Sequence, residues 1–235
     1  GWCVVNHSVD PMNGILEVPG EYLGEPVVGI AGLTYSVDIS GNISVHPGIR
    51  EIVLPSTIKY LSYYAFSGMK NLQKVSFSGE NNIEEIRTGA FANCTSLADF
   101  EIGSNVYRID AGAFYGCTSL NAHKISSTNS SYYVQNGVLY SNAENGEDHL
   151  ISYPAGKPDT SFTVPSNVVY VGEQAFAANT HLQSLVLSNV SNVGRGAFLG
   201  CTSLSQIEAN YLEVAEEYAF DDTAWYQAQN SEFIT

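Results

Sequence analysis

The chain has 235 residues, of which 44% are hydrophobic and 14% charged, a balance typical of a folded domain. Its 24 acidic residues outnumber the 9 lysines and arginines, so the net charge is -15 at pH 7, a sign that disfavours nucleic acid and anionic membranes as partners. No apolar run approaches the roughly 20 residues that cross a bilayer, and the first residues lack the pattern of an export signal. We therefore expect neither a membrane-spanning segment nor a signal or anchor within this sequence.

Residues 1–48 are predicted to form an N-terminal cap and an irregular first repeat. Solenoids need atypical end units because their apolar columns would otherwise face water. Trp2, Val4 and Val5 are the expected cover of the first turn. Cys3 lies outside the repeat, and its state is left open.

Residues 49–122 carry regular repeats. The stretch GAFANCTSL at 89–97 returns as GAFYGCTSL at 112–120 and as GAFLGCTSL at 196–204. A catalytic motif is normally needed once, whereas a packing unit that cannot bury its own apolar side is stacked on copies of itself. The Ala-Phe phenylalanines are predicted to fill the interior: Phe66, Phe91, Phe114, Phe176, Phe198 and Phe220.

Two apolar columns flank each Ala-Phe pair. After it the chain reads L-x-x-L-x-L, as at Leu97, Phe100 and Ile102, and this period of two predicts a strand with one buried face. Each repeat is expected to add one such strand to a parallel sheet. Before the Ala-Phe pair a second column repeats V-x-x-I, as at Val106 and Ile109.

A cysteine stands three residues after the phenylalanine in three repeats, at Cys94, Cys117 and Cys201. The equivalent positions of the other repeats hold Met69, Asn179 and Thr223, which cannot replace a nucleophile or a thiolate ligand but can fill a half-polar interior slot. We predict structural, free thiols, since side chains of a parallel ladder point along each other and do not meet.

Residues 123–161 form an enlarged repeat, because 62 residues separate Phe114 from Phe176 where the other intervals are 22 to 25. Asn136-Gly137 between YYV and VLY predicts a tight β-hairpin. The hairpin is expected to project from the coil without breaking the stack; the alternative is a hinge between two sub-solenoids. His123 falls in a strand column and is predicted to be a satisfied interior histidine.

Residues 162–220 return to regular repeats, and residues 221–235 read as a C-terminal cap. Trp225 and Phe233 are expected to cover the last turn. The whole chain, 1–235, is therefore predicted to be a single domain.

The AF-x-x-C-x-x-L core with its V-x-x-I/V column resembles the BspA-like leucine-rich-repeat family, the cysteine-bearing subclass of bacterial and protist surface proteins. The likeness is clear from about Ile49 to Phe220. It implies an α/β solenoid: a right-handed coil with a parallel concave sheet, short helical or irregular turns on the other side, and one enlarged hairpin-bearing repeat. It also implies adhesion to host extracellular proteins or to other cells.

Enzymatic motifs are missing from the sequence. There is no H-E-x-x-H, G-x-S-x-G or nucleotide-binding glycine loop, and no Cys/His spacing that suits a metal. Candidate acidic pairs occur at positions that vary freely between repeats. We therefore expect no enzyme activity, no catalytic residue, no metal and no cofactor.

Surface recognition is the expected function. The outward positions of the strands are small and polar, and the charged candidates for ligand binding on them are Lys74, Asp99, Glu101 and Lys124. Tyrosines gather in flanking stretches: Tyr60, Tyr63, Tyr64, Tyr107, Tyr132, Tyr133, Tyr140, Tyr153 and Tyr170. A ligand site is expected first where the hairpin with Tyr132, Tyr133 and Tyr140 meets the sheet.

Two hypotheses stay open. The first is a secreted or cell-surface adhesion module that binds an extracellular protein or glycan as a monomer. The second is a spacer that holds another domain of a larger surface protein away from the cell and has no ligand of its own.

Overall fold

The computed structural model describes residues 14–32, 36–37, 43–44, 48–143 and 146–231. The predictions for Trp2, Cys3, Val4, Val5 and Phe233 lie outside these residues. The strands in chain order are β1 (Ile15–Glu17), β2 (Glu21–Tyr22), β3 (Glu25–Pro26), β4 (Gly29–Ile30), β5 (Ser36–Val37), β6 (Ile43–Ser44), β7 (Glu51–Leu54), β8 (Tyr60–Leu61), β9 (Lys74–Phe77), β10 (Glu85–Ile86), β11 (Glu101–Ile102), β12 (Arg108–Ile109), β13 (Lys124–Ile125), β14 (Tyr132–Gln135), β15 (Val138–Ser141), β16 (Asp148–Ser152), β17 (Ser161–Thr163), β18 (Val168–Val171), β19 (Ser184–Val186), β20 (Asn192–Val193), β21 (Gln206–Glu208) and β22 (Val214–Ala215), and one helix follows, α1 (Ala224–Ser231).

The chain forms a solenoid whose turns pair through parallel strands on two faces. The first face contains β1-β7-β9, then β11-β13, then β17-β19-β21. The second face contains β4-β8-β10-β12 and, beyond the hairpin, β16-β18-β20-β22. The sequence predicted one strand per repeat, but each regular repeat contributes two, because the V-x-x-I column also forms a short strand that pairs with the same column of the next turn.

The Ala-Phe turns contain no α-helix, and α1 is the only helix in the described part of the chain. The helical half of the predicted α/β class is therefore not confirmed, and the fold is a β-solenoid. The backbone gives the reason. Residues two before and two after each Ala-Phe phenylalanine have positive φ, for example Gly89 at 65° and Asn93 at 59°, and a right-handed helix cannot pass through this conformation.

The same two positions account for the glycines of the GAFxG motif. Glycine adopts positive φ without steric penalty, so it is the default residue there. Three repeats instead place a side chain at the first position: Tyr64 (φ 56°), Gln174 (φ 56°) and Tyr218 (φ 59°).

The Phe column forms the centre of the core, and all six phenylalanines are buried. Neighbouring rings contact each other at centroid distances of 5.3 Å for Phe66–Phe91 and 5.4 Å for Phe91–Phe114. Tyr153 takes the phenylalanine position of the enlarged repeat, and its ring stacks on Phe176 at 4.7 Å.

The cysteine column is interior, and Cys94, Cys117 and Cys201 are free thiols, as predicted. Each thiol donates a hydrogen bond to the carbonyl of the phenylalanine one turn earlier: Cys94 to Phe66 (3.0 Å), Cys117 to Phe91 (3.1 Å) and Cys201 to Phe176 (3.1 Å). Asn179 fills the same slot, and its amide donates to the carbonyl oxygens of Pro154 (3.2 Å) and Lys157 (3.1 Å). At these four positions the column residue therefore donates a hydrogen bond that links two turns.

The enlarged repeat contains the predicted hairpin. Strands β14 and β15 pair antiparallel around Asn136 (φ 52°) and Gly137 (φ 79°), and β16 then restores parallel pairing with β18. The core divides here into two clusters. His123 links the two halves: its ring meets the edge of Phe114 at 4.9 Å, and its Nε2 lies 2.9 Å from Ser152 Oγ.

The last turn is covered by α1. Thr223 Oγ1 accepts a hydrogen bond from the Tyr226 amide at 3.1 Å and so caps the helix N-terminus. Trp225 packs against Phe220 at 5.3 Å, the role predicted for it.

Candidate binding surfaces

The first face brings four predicted charged residues together. In the strand register Lys74 lies opposite Asp99 in the next turn, and Glu101 lies opposite Lys124 in the turn after that. Inward neighbours such as Val75 and Ile102 are buried, so the alternation that predicted these positions is observed.

Four charges of this face form two ion pairs. Lys124 Nζ lies 2.5 Å from Asp99 Oδ1, and Lys74 Nζ lies 3.6 Å from Glu51 Oε1. Ser76 donates to Glu51 at 2.6 Å. Exposed pairs of this kind contribute about 0 to 1 kcal/mol, so a partner can exchange them at small cost.

Aromatic side chains do not line the first face. Among the exposed large apolar residues that the structure describes, Ile15 is the one on a strand of this face. Binding hot spots are enriched in tyrosine, tryptophan and arginine. From β1 to β13 the first face therefore offers charge without an exposed aromatic anchor, whereas Trp225 borders its strands β19 and β21.

The three hairpin tyrosines pack against the solenoid. Tyr140 is buried and stacks on Tyr133 at 5.2 Å. Tyr133 donates to Asp148 Oδ2 at 2.8 Å, and Tyr132 Oη accepts the Ile109 amide at 2.9 Å, where a further strand would otherwise pair with β12. Burial of Tyr140 excludes it from direct ligand contact, and the hydrogen bonds of the other two hold the hairpin in place.

The second face carries the exposed tyrosines of turns two to four. Tyr63 and Tyr107 are 58% and 54% exposed, and Tyr64 borders them at 53%. Tyr60 is the first residue of β8, and in the strand register it lies beside Glu85 of β10, which lies beside Arg108 of β12. We call this area, from Tyr60 to Tyr107 with the charged residues between them, the tyrosine face. Sequence analysis identified these tyrosines but did not predict that they share a surface. The signal that could have indicated it is their position next to the V-x-x-I column.

A polar network covers the tyrosine face. Tyr107 Oη donates to Glu85 Oε1 at 2.6 Å, and this bond, followed by desolvation, raises the pKa of Tyr107. Arg87 pairs with Glu85, and its other nitrogen lies 3.8 Å from Asp110. Arg108 Nε lies 2.7 Å from the same Asp110 carboxylate. The side chains are therefore fixed by one another before any ligand arrives.

Charge balances within this network. The pair Lys59–Glu84, at 2.7 Å, completes a set of three cations and three carboxylates. This area is therefore neutral, although the whole chain has a net charge of -15.

Two grooves border these surfaces. One of about 210 Å³ is lined at the junction of the halves by Ile109, Asp110, Tyr170 and Glu173, among others. The other, of about 380 Å³, lies between strands β19 and β21 and Trp225. Across the described residues no group of three or more His, Cys, Asp or Glu side chains is placed to hold a metal ion, and none of the described helices has the length and apolar character to span a bilayer.

Comparison with solved structures finds similar bacterial proteins, and the first of them shows the same fold. The pneumococcal vaccine antigen PcpA has a TM-score of 0.57 and 21% identity over 85% of this chain and 62% of its own, so this chain spans less than two thirds of PcpA. A leucine-rich cell surface protein from Faecalibacterium prausnitzii has a TM-score of 0.43 and 19% identity, covering 83% of this chain and 69% of that one. A leucine-rich repeat protein from Eubacterium ventriosum has a TM-score of 0.46 and 22% identity, covering 83% and 67%.

No curated protein gives a match. The sequence does match the BspA type leucine rich repeat region, in 6 copies, over residues 44–143 and 157–232, which is more than half of the chain. These are the residues that carry the two strand columns, the phenylalanines and the cysteines. The chain belongs to the BspA-type leucine-rich repeat family.

Proposed function

We propose that this chain is a recognition module of a secreted or cell-surface bacterial protein, which binds an extracellular protein or glycan through its exposed solenoid surface. One observation carries the proposal: tyrosine supplies most of the large apolar side chains exposed in the described part of the chain. These tyrosines are Tyr22, Tyr63, Tyr64, Tyr107, Tyr211, Tyr218 and Tyr226. Tyrosine combines a large rigid contact area with a polar tip and few rotatable bonds, which suits it to recognition.

The titratable groups with the largest shifts support a non-catalytic role. Burial raises the pKa of Cys94 and Cys201 to about 12 and lowers that of His123 to about 3. These groups stay uncharged at neutral pH and lie inside the core, where no substrate reaches them. Strongly shifted groups in an active site would instead face a cleft.

The family and the fold favour a surface location. PcpA, whose fold is similar, is described as a vaccine antigen. A monomer with free surfaces on both faces is the simplest form of such a module.

A spacer without a ligand is the second candidate, and the first face favours it. There Lys74, Lys124, Asp99 and Glu51 satisfy one another, as expected for a passive rod. Such a rod would need no free recognition groups.

Binding to immobilised extracellular matrix proteins and to a glycan array tests the proposal. Recognition predicts saturable binding that one surface variant abolishes without unfolding the protein. The first variant changes Lys74, Asp99, Glu101 and Lys124 to alanine together, and the second changes the tyrosine face. Uniform absence of saturable binding would favour the spacer.

A further inference from the structure

Among the surfaces of the described residues, the tyrosine face combines aromatic rings, fixed polar groups and local neutrality. We propose that it binds an uncharged oligosaccharide laid across turns two to four. This inference rests on the proposed recognition function and names its surface and ligand class.

Backbone strain at the border of the face is the first argument. Tyr64 is held at φ 56°, a conformation that costs a non-glycine residue of order 1 to 3 kcal/mol, and the equivalent position is Gly89 in the next turn and Gly112 in the following one. The Tyr64 ring packs over Gly89, where an added Cβ would lie 2.5 Å from two ring carbons. The ring is nevertheless about half exposed, so core packing does not explain its presence.

The arrangement of rings is the second argument. Tyr63 and Tyr64 follow β8, whereas Tyr107 precedes β12, two turns further along the coil. Parallel strands are about 4.8 Å apart, so the backbones that carry these rings are offset by roughly 10 Å along the coil axis, and the Tyr64 ring and the Tyr107 hydroxyl both reach the turn between them. An extended chain of a few pyranose rings spans that offset, and the apolar C–H faces of sugars pack on aromatic rings.

The hydrogen-bonding groups between the rings are the third argument. Sugar hydroxyls both donate and accept, and the face offers both kinds of partner in Arg108, Glu84 and the Tyr107 hydroxyl. Because Glu85, Arg87 and Asp110 already hold one another, little side-chain entropy is lost on binding.

Charge selects the class of sugar. The face holds three cations and three carboxylates in pairs, so it attracts neither a sulfated glycan nor a basic protein. An anionic glycan is further repelled by the remainder of a chain that carries -15. A neutral oligosaccharide meets neither obstacle.

The test is isothermal titration calorimetry of the full chain with cellohexaose, laminarihexaose and mannohexaose, and with a heparin hexasaccharide as the anionic comparison. We expect saturable binding of at least one neutral hexasaccharide and none of the heparin fragment. Tyr107→Ala should weaken binding about ten-fold or more, whereas Tyr107→Phe, which keeps the ring, should lose less.

Tyr64→Gly separates ligand contact from folding. Glycine relieves the strain at this position, so the variant should melt at or above the wild-type temperature while binding falls about ten-fold. The matched control is Tyr218→Gly, which removes an exposed tyrosine held at φ 59° in the last turn, outside the tyrosine face. It should bind as wild type does.

The inference is overturned if no neutral hexasaccharide binds, if the heparin fragment binds as well as the neutral ones, or if Tyr64→Gly and Tyr107→Ala bind unchanged. Saturable binding of a matrix protein that is lost in the first-face variant, with no glycan bound, would leave the proposed function standing and refute this inference. Absence of every ligand would refute both.

Discussion

Acid should destabilise this protein through His123. The imidazole is buried among core groups, with Phe114 on one side and the Ser152 hydroxyl as its hydrogen-bond partner, and desolvation lowers its pKa from 6.5 to about 3. The unfolded chain therefore takes up a proton near pH 6.5, long before the folded protein does. Stability is complete above that pH and declines as the pH falls toward 3.

The magnitude follows from the two pKa values. Between pH 7.5 and pH 5 the unfolded state gains about 2 kcal/mol from this one proton, and the full difference below pH 3 approaches about 5 kcal/mol. Urea unfolding, followed by circular dichroism at the two pH values, measures the loss. In His123→Leu, which fills a strand column with an apolar side chain, the decrease should be smaller by about 2 kcal/mol.

The control is Ser152→Ala, which removes the hydrogen-bond partner and keeps the imidazole. It should lower stability at both pH values and retain the acid-dependent loss. The reasoning would be refuted if His123→Leu lost as much stability between pH 7.5 and pH 5 as the wild type, since the proton would then bind elsewhere.

Three further predictions concern the repeat itself. Phe91→Ala should lower the free energy of unfolding by about 3 to 5 kcal/mol in urea titrations, because its ring contacts three aromatic neighbours, and a loss below about 1 kcal/mol would contradict a packed column. Gly89→Ala should destabilise at least twice as much as Gly24→Ala, measured by thermal melting, since both have positive φ but only Gly89 faces a ring; equal losses would mean that Tyr64 moves aside freely. In a Cys3→Ser background, Ellman's reagent at pH 8 should label Cys94, Cys117 and Cys201 only after denaturant is added, because all three thiols are buried and burial raises their pKa. The pKa values of about 12 at Cys94 and Cys201 leave roughly one thiol in ten thousand ionised, so rapid labelling of the folded protein would contradict this burial.

Periodicity predicted the features that recur over many residues. The alternation at Leu97, Phe100 and Ile102 gave the first-face strands, and the outward positions between them are the ones observed. Asn136-Gly137 gave the hairpin because its turn type requires positive φ at both residues. In each case the local pattern has one low-energy solution that tertiary contacts do not override.

The sequence was less informative where the pattern is short or the residue type changes. Second-face strands such as β8 and β12 have two residues each, too few to show a period. The sequence pattern did not identify Tyr153 as a member of the Phe column, because no alanine precedes it. The tyrosine face could not be predicted, since it depends on the register between turns that brings Tyr63 and Tyr107 to one surface.

Turn geometry also limits where this solenoid can carry recognition side chains. A residue at a positive-φ position directs its side chain over the neighbouring turn: Tyr64 lies over Gly89, and Asn93 lies over Gly116, where an added Cβ would come within 2.5 Å of each. Two adjacent turns therefore cannot both hold a large side chain at the same position. Ligand-contacting residues on this edge must be at least two turns, or roughly 10 Å, apart. A site that needs closer contacts has to combine the edge with the outward rows of a sheet face, as Tyr64 does with Tyr63, Tyr107 and the polar network between them.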